Sequence, residues 1–172
     1  GEDAGSDEIL MESFAAGDSA SFEMLMHRHK RGLFNFLLRS VGSAARAEEL
    51  LQEVFLRVVR SRARYKRSAK FTTWVYTIAR NLTVDESRRA RFRDHVSLDA
   101  PRGNDERGRT MMDTLEHGGP APDDAARIPR IRERLKIAIE TLPEDQREVF
   151  LLRQVSGLSF REIGETVGAP EN

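Results

Sequence analysis

Apolar residues recur at three- and four-residue spacing along most of the chain. No stretch alternates apolar and polar positions for the length of a strand, so the pattern predicts helices throughout. Ser6 is placed to cap a short helix over residues 7–16, which Gly17 can end. Asp18 then caps a longer helix whose Phe22, Leu25, His29, Leu33, Phe36 and Leu37 share one face, up to a break at Val41-Gly42-Ser43. A third helix over 44–61 turns Leu50, Leu51, Val54, Phe55 and Val58 toward a core. It leaves Glu49, Gln52, Glu53 and Arg57 available to solvent or a partner. Residues 62–70 (RARYKRSAK) hold five basic side chains and one aromatic and read as a loop. The helical period resumes over 71–91 through Phe71, Trp74, Val75, Ile78 and Leu82.

The period then stops. Residues 94–126 contain Pro101, Gly103, Gly108, Gly118, Gly119, Pro120 and Pro122, and so long a stretch without pattern predicts a linker. Met111, Met112 and Leu115 could form one apolar turn within it, but membership of a mobile tether is the favoured reading. Beyond it Ile128, Ile131, Leu135, Ala138 and Leu142 restore the helical stripe, and Pro143 suits the first turn of a helix over 144–154. In that helix Val149, Phe150 and Leu152 are expected to face inward. Gly157 can end it, and Ser159 with Glu162 forms a capping box for a helix over 160–167. Two short helices about a glycine turn suggest a helix-turn-helix, in which a further helix would read DNA. Only the start of such a helix falls within Ala169–Asn172, so the motif is expected to be incomplete at its C-terminal end.

The formal net charge of the 172 residues is zero, but its distribution is not uniform. Residues 1–26 carry seven acids and no Lys or Arg, whereas residues 27–93 carry seventeen basic residues against five acidic. The linker is acidic, with three basic residues against eight acids, and residues 127–172 balance at eight of each. A basic block of this density is what a polyanion-binding module needs, although charge alone fits a solvated helical surface as well. With no cysteine, a disulfide scaffold or a Cys-based zinc site is excluded. The short apolar runs and the lack of a leading signal segment predict a soluble, cytoplasmic protein.

No catalytic constellation emerges, and no cofactor is expected. His27 and His29 stand two apart on a helix, so their side chains diverge by about 200° and cannot share a metal. His95 and His117 fall in the linker, and neither a phosphate-binding glycine loop nor a nucleophile triad is present. The stronger signal runs from Arg62 to Arg91. There Tyr65 sits in the basic loop, and the following helix bears Trp74, Tyr76, Arg80 and Asn81. Aromatic faces stack on exposed bases and guanidinium groups follow the phosphates, a combination suited to single-stranded or opened nucleic acid. Phe71 and Trp74 lie on the apolar stripe and are assigned to the core, whereas Tyr65, Lys66, Arg67 and Lys70 have no evident packing role.

Three segments taken together, AEELLQEVFLRVVR (47–60), KFTTWVYTIARNLTVDESRR (70–89) and LPEDQREVFLLRQVSGLSFREIGETVG (142–168), resemble the extracytoplasmic-function (ECF) sigma factors of bacterial RNA polymerase, within the sigma-70 family. The resemblance implies an all-α fold of two small helical domains joined by a flexible linker. Residues 1–93 would be a region 2-like domain, 94–126 the linker and 127–172 a region 4-like domain. It implies core polymerase binding to the β′ clamp helices through Glu49, Gln52, Glu53, Phe55 and Val59. It also implies capture of the melted minus-ten non-template strand by Tyr65, Lys66, Arg67, Ser68, Ala69, Lys70, Arg80, Asn81 and Arg88, with a flipped base held in the loop. Extruding that base costs a few kcal/mol, recovered from binding without ATP. The linker would thread the polymerase cleft. The second domain would contact the β flap and the minus-thirty-five element, the latter poorly if its reading helix is incomplete. An anti-sigma factor is the expected regulator. The alternatives are a stand-alone helix-turn-helix regulator, which leaves the basic loop at 62–70 unexplained, and an adaptor indifferent to nucleic acid.

Overall fold

The computed structural model describes residues 5–96 and 127–168; residues 94–96, expected to begin the linker, belong instead to the last helix of the N-terminal group, and the rest of the expected linker, 97–126, lies outside the described residues with 1–4 and 169–172. The described residues form seven helices: α1 (Asp7–Ala15), α2 (Ser19–Val41), α3 (Ala44–Ser61), α4 (Phe71–Val96), α5 (Arg127–Glu140), α6 (Glu144–Ser156) and α7 (Phe160–Val167). A single 3-10 turn, Arg62–Arg64, follows α3, and no strand occurs among the described residues. The expected all-α character is thus met. Helix α4 runs to Val96, beyond the basic run at which the sequence pattern ended it.

Local chemistry accounts for the boundaries. The Ser6 hydroxyl accepts from the Ile9 amide at 3.4 Å, the Asp18 carboxylate from Ala20 at 3.1 Å, and the Ser43 hydroxyl from Arg46 at 3.4 Å. Ser159 and Glu162 form the full capping box, with bonds of 3.2 and 2.7 Å. Gly42 closes α2 in the left-handed region at φ 73°, its amide donating to the Leu38 carbonyl at 2.8 Å. Gly157 makes the turn between α6 and α7 at φ 69°, a conformation that a side chain would strain.

Helix α2 is the central column, with α1, α3, α4 and α6 packed around it. Its Leu33, Phe36 and Leu37 are buried against Val54 and Val58 of α3 and Phe71, Val75 and Ala79 of α4. The same apolar cluster continues without a break into Leu151 and Leu152 of α6, Leu158 and Ile163 of α7. The two helical groups are therefore packed on one another, α6 against α2 and α7 against α4. Fully burying a leucine is worth about 1.5–3 kcal/mol, so this seam contributes substantially to stability. Because α6 is covered from two sides, Leu151 as well as Leu152 is buried, whereas Val149 and Phe150 are only half-buried.

Helix α5 departs from expectation. Ile131 and Leu135, read as core-facing, are 56% and 52% exposed, because no described element covers that side of the helix. Among its apolar residues Ile139, next to its last residue, is buried.

Gly32 of α2 faces α4 and α6 with no side chain of its own. A Cβ there would meet the Tyr76 hydroxyl at 2.7 Å, with the Val155 carbonyl at 3.8 Å. Tyr76 is buried and its ring abuts Phe36, so it has little room to retreat. Gly32→Ala is expected to destabilise the chain by about 1–3 kcal/mol, measured as a lower urea midpoint.

Candidate nucleic-acid interface

Helix α3 presents its polar stripe to solvent. Glu49 and Gln52 are exposed and Glu53 is half-exposed. Arg46 pairs with Glu49 on one flank, and Arg57 donates to Glu53 at 3.0 Å on the other. Successive helical positions rotate by about 100°, which separates the five residues assigned from the sequence. Phe55 and Val59 turn toward the core, with the Phe55 ring edge-on to Phe22 at 6.1 Å. Leu56 joins Glu49, Gln52, Glu53 and Arg60 on the outer stripe and is 47% exposed. Its i+3 and i+4 relation to Glu53 and Gln52 was the available signal, masked by an otherwise apolar neighbourhood.

At the end of α3 the chain turns through Arg62–Arg64 into the basic loop. Lys66, Arg67, Ser68 and Lys70 are exposed and Ala69 is half-buried. Tyr65 has a packing role that sequence reasoning missed. Its ring lies 5.2 Å from Trp74 and 6.4 Å from Phe71, and its hydroxyl donates to the Ala69 carbonyl at 3.1 Å. Burial, reinforced by Glu8 and Glu12, pushes the phenol up to about 12, so it stays a neutral donor. Tyr65 thereby closes the loop on itself.

Helix α1, to which the sequence pattern assigned no function, braces this loop from behind. The Glu8 carboxylate accepts from the Phe71 amide at 3.0 Å and so occupies the N-terminus of α4, where negative charge is favoured. Arg67 reaches Glu12 at 3.5 Å, and the Arg62 guanidinium lies 5.7 Å over the Phe14 ring. Asp7 accepts from Arg28 at 2.9 Å and pairs with His29 at 2.7 Å. The His29 bond is the main cause holding the Asp7 carboxyl below its usual range, with Arg28 assisting against burial. His29 is thus part of the fold, and among the described residues no cluster suitable for a metal ion occurs.

Along α4 the candidate residues diverge. Asn81 and Arg88 are exposed on the stripe that also carries Trp74 and ends near the exposed Phe92. Arg80, one residue before Asn81, points about 100° away. It makes a forked contact with Glu148 of α6 at 2.7 and 3.5 Å. Lys70 is likewise engaged, its ammonium 2.8 Å from Glu162 of α7. The loop, Asn81 and Arg88 therefore form an open basic and amide surface, while Lys70 and Arg80 are held by carboxylates of the C-terminal helices.

Comparison with known proteins identifies the family and the fold. The sigma-70 region 2 family model matches residues 25–93, and a sigma-70 region 4 model matches residues 132–172. The chain is 40% identical to the RNA polymerase sigma factor CarQ of Myxococcus xanthus, over 92% of this chain and 83% of that one. It is 31% identical to the ECF RNA polymerase sigma factor SigW of Bacillus subtilis (strain 168), over 90% and 81%. A solved structure of CnrH in complex with the cytosolic domain of CnrY shares the fold, with TM-score 0.63 and 20% identity over 95% of this chain and 84% of that one. A helical core presenting a basic loop and an acidic stripe on separate faces belongs here to a transcription initiation subunit. The chain is a member of the ECF group of sigma-70-family RNA polymerase sigma factors and directs promoter-specific initiation with core polymerase. No helix among the described residues is long and apolar enough to cross a membrane.

Two outcomes follow from the contacts around the loop. Glu8→Ala is expected to cost about 1 kcal/mol and to speed hydrogen exchange at the first amides of α4, with Glu8→Gln, which keeps an acceptor, closer to the native chain. The Glu162 carboxyl is lowered from an ordinary 4.5 to about 2, first by the Lys70 ammonium and then by the Ser159 backbone amide. Because its folded value is the depressed one, its stabilising contribution is present above about pH 4.5 and is lost as the pH falls toward 2. Acid unfolding of Glu162→Gln should accordingly depend less on pH across that window.

Proposed function

We propose that Glu49, Gln52 and Glu53 form the surface that docks on the clamp helices of the polymerase β′ subunit. Leu56 supplies the apolar centre of this patch, while Phe55 and Val59 hold the helix in place from the core side. The loop Tyr65–Lys70, with Asn81 and Arg88, takes the opened non-template strand of the minus-ten element, and Arg80 joins it once freed from Glu148. Within this surface Tyr65 and Ala69 shape a pocket for an extruded base. Lys66, Arg67 and Lys70 draw the phosphates, and Asn81 offers an amide to a base edge. Binding energy alone drives the opening, so the protein acts by binding, without catalysis of its own. Residues 1–96, through the end of α4, serve as the region 2 unit, 97–126 as the tether and 127–172 as the region 4 unit, which contacts the β flap. The working compartment is the cytoplasm, where the polymerase is. The solved complex of CnrH with CnrY supports an anti-sigma partner for this chain as well.

The observation that carries this reading is the separation of two exposed surfaces on one rigid core. An acidic and amide stripe lies on α3, and a braced basic loop lies at that helix's C-terminal end.

The test is a titration against core polymerase with and without a fork-junction promoter whose non-template strand is single-stranded. Tight core binding is expected, with specific DNA binding only in the ternary complex. Gln52→Ala with Glu53→Ala should weaken core binding by about 1–2 kcal/mol or more. Lys66→Ala with Asn81→Ala should spare core binding and weaken strand capture by about tenfold or more. Specific duplex binding without core, or core binding unchanged by the α3 pair, would refute the assignment.

A further inference from the structure

We propose that Arg46 is a positioning residue for polymerase docking: anchored on the buried Glu86 of α4, its guanidinium holds the Glu49 carboxylate of α3 in place for the partner's surface. This rests on the docking role proposed above for Glu49 and deepens it.

Arg46 stands where local chemistry asks for the opposite charge. It is the third residue of α3, three after the Ser43 cap, where a glutamate would complete a capping box and the helix dipole favours an acid. The first turn of α3 holds no acidic residue. Negative charge reaches this helix end from a different element: Glu86, forty residues on, accepts from Arg46 at 2.7 Å. Arg93, a further seven residues along α4, reaches the other Glu86 oxygen at 3.3 Å. Arg46 first, and Arg93 after it, hold the Glu86 carboxyl below its usual range in spite of burial, so the anchor stays charged.

The guanidinium divides its two outer nitrogens between two helices. One donates to Glu86 and the other to Glu49. The inner Nε is left buried with no hydrogen-bond partner among the described residues. An unpaired buried donor costs free energy, so the pose is the one the two carboxylates impose and not the one that would satisfy Arg46 best.

The two carboxylates differ in what can reach them. The Glu49 side chain is 64% exposed on the outer stripe, whereas that of Glu86 is 11% exposed and belongs to another helix. A polymerase surface laid on the stripe therefore meets Glu49 and not Glu86. Fixing a long, exposed side chain at an interface costs rotamer freedom, and a side chain already held in place loses less. Through Arg46 the packing of α3 on α4 thus sets the orientation of a docking carboxylate. A lysine would carry the same charge, but a compact ammonium on a flexible stem does not fix two carboxylates as a planar fork does.

The test is the dissociation constant of the full chain for core polymerase, with circular dichroism confirming that each variant is folded. Arg46→Lys leaves the charge of the stripe unchanged, so it reads geometry alone, and should weaken binding about three- to tenfold. Glu86→Gln should weaken it in the same direction, although Glu86 is buried away from the docking stripe. In a Glu49→Ala background neither change should weaken binding further, a result that a general loss of packing would not give. Native affinity in either variant overturns the proposal. So does equal weakening with and without Glu49, or a Glu49→Ala chain that binds as tightly as the native one. Failure of the docking surface as a whole would appear separately, as core binding unchanged by Gln52→Ala with Glu53→Ala.

Discussion

Helix α2 must divide its surface among α1, α3, α4 and α6, and the positions of the remaining helices follow from that division. Leu33, Phe36 and Leu37 commit one side to α3 and α4, and Leu25 lies buried in the same continuous cluster. At Gly32 the helix has no side chain to offer, and the Tyr76 hydroxyl and the Val155 carbonyl of α6 lie beside its bare backbone. The column sets the angle between α3 and α4. It thereby determines that the acidic stripe of the one and the basic loop leading into the other face different directions. Both surfaces lie within the segment that the sigma-70 region 2 family model matches, residues 25–93.

The charge distribution has its meaning within this frame. The acidic N-terminal segment folds back onto the basic block as α1, where Glu8 and Glu12 meet the loop and the head of α4. The C-terminal helices meet the same block from the other side. Exposed ion pairs contribute about 0–1 kcal/mol each, so exposed pairs such as Arg67–Glu12 do little to hold the fold together compared with the leucine seam. Their effect is selective. They orient the loop and set Arg67, Lys70 and Arg80 beside carboxylates of other helices.

Sequence alone determined most of the local structure. Helix starts at Ser6, Asp18, Ser43 and Ser159, the αL stops at Gly42 and Gly157, and the core faces of α2 and α3 are all written in contacts that reach no farther than four residues. Family resemblance and the candidate residues could be read at the same level, since motif spacing is also a property of the chain itself. The tertiary structure decided what depends on partners distant in sequence. It sent Arg80 to Glu148 while leaving its neighbour Asn81 in solvent, gave Tyr65 a place against Trp74, turned α1 into a brace and left the stripe of α5 uncovered. These contacts span 63 residues between Glu8 and Phe71 and 68 between Arg80 and Glu148. Their geometry comes from the angles at which whole helices pack, which no local period or cap can encode.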